Sequence, residues 1–154
     1  MEKEARIVAE YIEQVERARS RDGALKETDL HNIASELGLS EAELEQVTQI
    51  AQDHRTRGEN FLSHGLLDDA ISELRLAAGL QPLSAEVTLK LAEAHAARWQ
   101  KEMRSADQNQ AMTLARRSLA IDPESTEAYA LLRRLKRPRV SGSLIAGVIA
   151  AGVL

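Results

Sequence analysis

The 154-residue sequence predicts an all-α fold, and three observations predict it. It holds only three Pro and eight Gly. Aromatic residues make up 3% of it, while Ala, Leu, Glu and Arg are abundant. Its apolar residues recur at helical spacing between Gly, Pro and Ser positions that punctuate them. Sheets favour β-branched and aromatic residues, whereas the abundant types here are good helix formers. With 44% hydrophobic and 29% charged residues, the chain has the makeup of a folded domain with room for a real core.

The first helix is expected over about 2–19, where Ile7, Val8, Tyr11, Ile12, Val15 and Ala18 follow the helical repeat and Asp22-Gly23 breaks it. A short second helix should start at Thr28 as N-cap, run through Leu30, Ile33, Ala34 and Leu37, and stop at Gly38. Leu39-Ser40-Glu41-Ala42-Glu43-Leu44 is the strongest local signal in the chain. Ser40 and Glu43 have capping-box spacing, and Leu39 and Leu44 that of a hydrophobic staple. Nothing then interrupts a long third helix, about 41–64, before Gly65. Four more helices are expected over about 67–79, 85–103, 106–120 and 125–137. Their boundaries are Gly65, Pro82-Leu83-Ser84, Ser105 with Gln108 as a second capping box, and Asp122-Pro123.

Charge is unevenly placed. Five of the 20 Lys and Arg residues, namely Arg133, Arg134, Lys136, Arg137 and Arg139, fall within seven positions, leaving 15 against 24 Asp and Glu in residues 1–132. An acidic body repels nucleic acid. The absence of Cys excludes disulfides and thiolate metal sites. The start, MEKEARIVAEYIEQ, lacks the uninterrupted apolar core of a secretory signal, so the body should stay in the cytoplasm.

The stretch GENFLSHGLLDDAISELRLAAGLQP pairs a small residue at Gly58 with Phe61, places Ala70 four residues before Leu74, and closes on Pro82. In these features it resembles a tetratricopeptide repeat, the 34-residue helix-turn-helix unit. Small residues at 58 and 70 would let two antiparallel helices approach. His54 and Arg57 depart from the family, standing where it usually has Trp and Leu. Ala92, flanked by Leu91 and His95, follows Gly58 by 34 residues, and Ala111, Ala115, Leu119 and Pro123 continue a second unit. About seven extra residues near Trp99–Ser105 are expected at its inter-helix turn, where length changes cost least. Tyr129 and Leu132 begin a third first-helix, in which Arg133 and Lys136 replace the small and aromatic residues; it reads as a polar cap.

The resemblance implies about two repeats plus a capping helix over 51–137. The N-terminal helices, 1–50, should cover the open side of the first repeat, and 138–154 forms a tail. The competing reading of the repeats is a generic helical bundle. Partner peptides of the family lie along the surface formed by the first helices, here offering Gln52, Arg55, Glu59, Leu62, Leu89, Lys90, Glu93 and Ala96. The basic and Asn set with which some members clamp a C-terminal carboxylate is not reproduced.

LHNIASELGLSEAELEQV also resembles a helix-turn-helix of DNA-binding proteins, but Glu41, Glu43 and Glu45 open its reading helix and no Lys or Arg lies between Lys26 and Arg55. Phosphate contacts need cations. His31, His54, His64 and His95 show no metal-ligand spacing, and read as surface or helix-face residues. Asp68-Asp69 suits the start of a helix better than a catalytic carboxylate pair. GxSxG, Walker and GxGxxG patterns are lacking. Trp99 reads as a core or cap residue rather than a ligand contact. The expectation is a protein that is not an enzyme and takes no cofactor or metal.

The chain closes on SGSLIAGVIAAGVL, an uncharged segment behind the basic cluster. Leu144, Ile145, Val148, Ile149, Val153 and Leu154 leave no polar face. Ser143, Gly147 and Ala151 place small residues on one stripe. The expectation is the cytoplasmic-side part of a transmembrane helix, oriented by the five basic residues. At about 1.5 Å per residue its fourteen residues reach only about 21 Å of a roughly 30 Å core, so a continuation past Leu154 is expected. A C-terminal helix buried in the domain's own core is the competing reading.

Function is thus expected to be that of a noncatalytic, membrane-tethered scaffold for a protein or peptide, on the cytoplasmic face. The alternatives are a helix-turn-helix DNA-binding regulator and a self-associating structural domain that completes its stack with another copy.

Overall fold

The computed structural model describes residues 1–22 and 24–137. Among the described residues seven helices follow one another: α1 (Glu2–Asp22), α2 (Glu27–Glu36), α3 (Glu41–Ser63), α4 (Leu67–Leu80), α5 (Ala85–Glu102), α6 (Ser105–Ile121) and α7 (Thr126–Lys136). From α3 onward each helix packs on the next in an antiparallel manner. In addition α3 touches α5 and α5 touches α7, while α1 lies against α2 and α4.

Local chemistry sets the ends. Ser40 Oγ accepts from the Glu43 N–H at 3.2 Å, and the Ser40 N–H donates to Glu43 Oε2 at 2.9 Å. The reciprocal pair satisfies two N-terminal donors that the helix cannot satisfy itself. Leu39 and Leu44 are both half-buried beside it. Gly38 and Gly65 take φ of +64° and +73°, the left-handed region that lets the chain turn out of α2 and α3. Ser84 and Ser125 cap α5 and α7 through their side chains.

Two expected caps lie elsewhere. Thr28 falls inside α2, whose N-cap is Lys26. The Lys26 N–H donates to Asp29 Oδ2 at 2.8 Å, so an acid one turn in does the work without a capping side chain at the N-cap. Ser105 likewise opens α6 instead of capping it, with Arg104 as N-cap. Gln108 is used differently: its Nε2 donates to the Leu135 carbonyl at 2.8 Å and ties α6 to α7.

The turn expected near Trp99–Ser105 also differs. Only Met103 and Arg104 separate α5 from α6, so the expected long turn is not formed and Trp99 to Glu102 and Ser105 belong to the helices. Met103 makes that tight reversal with φ 61° and ψ 22°. Longer helices extend the contact between α5 and α6, which an open loop would not do.

The core has two parts. The first gathers Tyr11, Val15, Ile33, Val47, Ala51 and Leu80 from α1 to α4. The second gathers Ala70, Ile71 and Leu74 of α4 with Leu91, Ala92, Trp99, Leu114, Ala115, Leu131 and Leu135 of α5, α6 and α7. Trp99 is therefore a core residue, as the sequence suggests. α7 buries Ala128, Leu131 and Leu135, whereas Tyr129 is 51% exposed. Leu132 is half-buried against this core, so of the two residues read from the sequence only Tyr129 turns outward.

Helix pairs approach most closely at small residues. A Cβ built on Gly58 would stand 2.6 Å from Leu74 Cγ and 3.1 Å from the Leu74 backbone nitrogen. Ala70, Ala92, Ala111 and Ala115 are fully buried. One built on Gly79 would meet the Ile12 side chain at 3.2–3.3 Å, where α1 crosses α4.

Among the described residues no helix is long and apolar enough to cross a membrane. Arg139 and the expected transmembrane segment from Ser141 to Leu154 lie outside the described residues.

Candidate functional site

The side of the fold formed by α3, α5 and α7 brings together most of the residues read from the sequence as a partner surface. On α3, Arg55 Nε donates to Glu59 Oε1 at 2.8 Å, and Arg55 Nη2 reaches across to Glu86 on α5. On α5, Lys90 Nζ donates to Glu93 Oε2 at 2.9 Å. The Glu59 hydrogen bond, against partial burial and with help from Glu86, raises the Arg55 pKa above its ordinary value. The Glu93 hydrogen bond raises that of Lys90, again against burial. The result is a band of alternating charge linking α3 to α5.

Gln52 is exposed and Leu62 half-buried on α3. Leu89 is 8% exposed and Ala96 fully buried. Ala96 therefore serves packing and presents no surface to a partner, because α5 is covered on more than one side in the middle of the stack.

Beside this band a cavity of about 310 Å³ opens between α5 and the start of α7. Glu86, Glu93, Asp122 and Glu127 line it, with Lys90 as its one cation. Such a groove attracts cationic segments and repels phosphates. Arg133, Arg134, Lys136 and Arg137 lie exposed at the far end of α7.

Two polar ties went unread in the sequence. His54 Nδ1 lies 2.7 Å from Glu73 Oε2, to which Arg57 Nε also donates at 2.9 Å. His54 and Arg57 thus join α3 to α4 through one carboxylate. Burial raises the Glu73 pKa, but hydrogen bonds from His54 and Arg57 outweigh it and hold the group low.

The second tie is more deeply placed. His95 Nδ1 lies 2.8 Å from Asp107 Oδ1. Arg98 donates to the same carboxylate through Nη2 at 2.7 Å and Nε at 2.9 Å, and through Nη1 to Asp68 Oδ1 at 2.9 Å. The Arg98 fork, working against burial and assisted by His95, keeps the Asp107 pKa below its ordinary value. Burial pushes His95 down despite its bond to Asp107, so the ring is neutral and donates. This triad locks α5 onto α6 and reaches α4; Asp68, expected simply at a helix start, supplies that third link. A signal existed: folding the chain about residues 103–104 sets 107 opposite 100, within two helical turns of both 95 and 98.

Among the described residues no group of three His, Asp or Glu could hold a metal ion. At the helix-turn-helix-like segment, Glu43 is bound by the Ser40 N–H and paired with Lys3 at 3.1 Å. Glu41 and Glu45 are exposed, so the first turns of α3 present carboxylates. No protein-family model matches the chain, and no curated protein matches its sequence.

Proposed function

We propose that the chain is a noncatalytic tetratricopeptide-repeat scaffold, tethered to a membrane by its C-terminal segment, which holds a protein or peptide partner at the cytoplasmic face. The observation that carries this reading is the close approach of Gly58 to Leu74 across α3 and α4, with fully buried Ala92 following 34 residues later on α5. That is the spacing at which a repeat stacks its hairpins. The side-by-side run of α3, α5 and α7 offers the partner surface, and the acidic cavity beside it favours a peptide segment carrying Lys or Arg.

The test is a pull-down from detergent-solubilised membranes, comparing the intact chain with Arg55→Glu, Glu59→Lys and Glu93→Lys combined. Loss of one or more specific partners in a variant that melts like the parent supports the reading. Identical capture overturns the groove. Flotation of the natural chain with liposomes tests the tether: a chain that stays soluble and monomeric without detergent, and is destabilised by trimming from residue 140, overturns it.

A further inference from the structure

On another side of the molecule, between α1, α4, α5 and α6, lies a cavity of about 420 Å³. Arg19, Arg75 and Arg117 line it, each from a different helix, together with Gln110 and the edge of His95. Glu16 is the one carboxylate in its lining, and Arg19 already holds it, with Nη1 2.9 Å from Glu16 Oε1. Among the described residues, neither Arg75 nor Arg117 makes an ion pair or a side-chain hydrogen bond. Ile12, Ala78, Leu91 and Leu114 supply apolar wall.

This gathering of like charge is costly in the protein alone. Arg117 is half-buried; burial first, and then the neighbouring charge of Arg19, lower its pKa, with Glu16 opposing them. Arg75 adds to the forces that keep His95 neutral. Arg117 is the partly buried cation of the set, and the carboxylate nearest it, Glu16, is already held by Arg19, so an anion entering the cavity would offset its charge. Guanidinium groups match phosphate and carboxylate oxygens in paired, fork-like hydrogen bonds. Two unpaired guanidinium groups balance a phosphate monoester of about −2 better than a carboxylate of −1. The apolar wall, and a volume within the roughly 300–1,000 Å³ of small-molecule pockets, leave room for an organic body.

We propose that the cavity between α1, α4, α5 and α6 binds a small phosphate monoester with an apolar or aromatic body, its phosphate held by Arg75 and Arg117. The site is separate from the partner surface on α3, α5 and α7 and stands without it.

The test is isothermal titration of the full chain, kept dispersed in non-ionic detergent, with phenyl phosphate at neutral pH in a phosphate-free buffer. Saturable binding is expected at one site, with inorganic phosphate and benzoate each weaker by about tenfold or more. Arg75→Gln and Arg117→Gln should each weaken phenyl phosphate by about tenfold. Arg116→Gln, an exposed neighbour outside the cavity, should leave it unchanged. Arg75 is exposed, so its variant reads out binding even if Arg117→Gln disturbs the fold. Absence of saturable binding, or binding that Arg75→Gln leaves intact, overturns the proposal. Inorganic phosphate binding as tightly as phenyl phosphate overturns the organic half of it.

Discussion

Gly58 and Leu74 face each other across α3 and α4 with no room for another carbon: a Cβ on Gly58 would lie 2.6 Å from Leu74 Cγ. The Leu74 side chain is itself fully buried, and the backbone of α4 lies just behind it. Gly58→Leu must therefore separate the two helices, at a cost of about 1–3 kcal/mol. That exceeds the roughly 0.8–1.0 kcal/mol by which a residue other than glycine favours a helix interior. Urea unfolding checks it; a variant as stable as the parent contradicts the close approach.

Asp107→Asn should destabilise by about 2–3 kcal/mol, below the roughly 3–5 kcal/mol for breaking a fully buried pair, because Arg98 keeps Asp68 and some access to water. The same variant should leave the contact between α3 and α4 intact. A hydrogen-exchange comparison in which α5 and α6 lose protection first would agree with this.

Acid should unfold the protein in two stages. Burial lowers the His95 pKa below its ordinary 6.5, so below about that pH the unfolded chain binds the extra proton and stability falls. Asp107 is held below 3.8 by Arg98, and Glu73 is held below 4.5 by His54 and Arg57 against its burial. Their contributions are complete above those ordinary values and are lost as pH drops through the lower folded ones. Melting temperature should be level near neutral pH, decline from about 6.5, and fall faster under about 4.5. In Asp107→Asn the fall below 4.5 should be shallower; an unchanged acid limb would remove Asp107 from the account.

Met103→Gly should stabilise by about 0.5–1 kcal/mol. Met103 is 58% exposed and holds a left-handed conformation that disfavours a side chain, so little packing is lost and strain is relieved. Denaturant titration with an unchanged slope and a higher midpoint is the expected result.

Removing residues 1–36 should expose Val47, Ala51 and Leu80, which Tyr11, Val15 and Ile33 cover. The remainder should aggregate or unfold without a sharp transition. Gly79→Leu is a milder probe of the same contact, pressing on Ile12 at the crossing of α1 and α4. A soluble monomeric truncation with unchanged melting would make the N-terminal helices an appendage.

Features set within one turn of chain were legible in the sequence. The Ser40–Glu43 pair and the stops at Gly38 and Gly65 are where the spacing placed them, since each depends on residues at most a few positions apart. Lys26 was missed because its side chain is no capping group; the acid at 29 carries the contact. Gly58 could be read as a close approach because smallness has a meaning at helix pairs. The ties of His54 to Glu73 and His95 to Asp107 depend on which faces meet across a reversal, and the place of the reversal at residues 103–104 has no Gly or Pro to mark it. The three arginines around the α1–α4–α5–α6 cavity come from residues 19, 75 and 117, a separation no local pattern bridges.

The two halves of the core share one hairpin. Val47, Ala51 and Leu80 of α3 and α4 belong to the N-terminal half, while Ala70, Ile71 and Leu74 of the same hairpin, with Phe61 packed against them, belong to the other. Because most helices pack on their sequence neighbours, little loop entropy opposes assembly, and folding should be fast. The shared hairpin is the natural nucleus from which order spreads toward both ends. Its central amides should be the last to exchange with solvent, and pulling on the two termini should strip the outer helices before it yields.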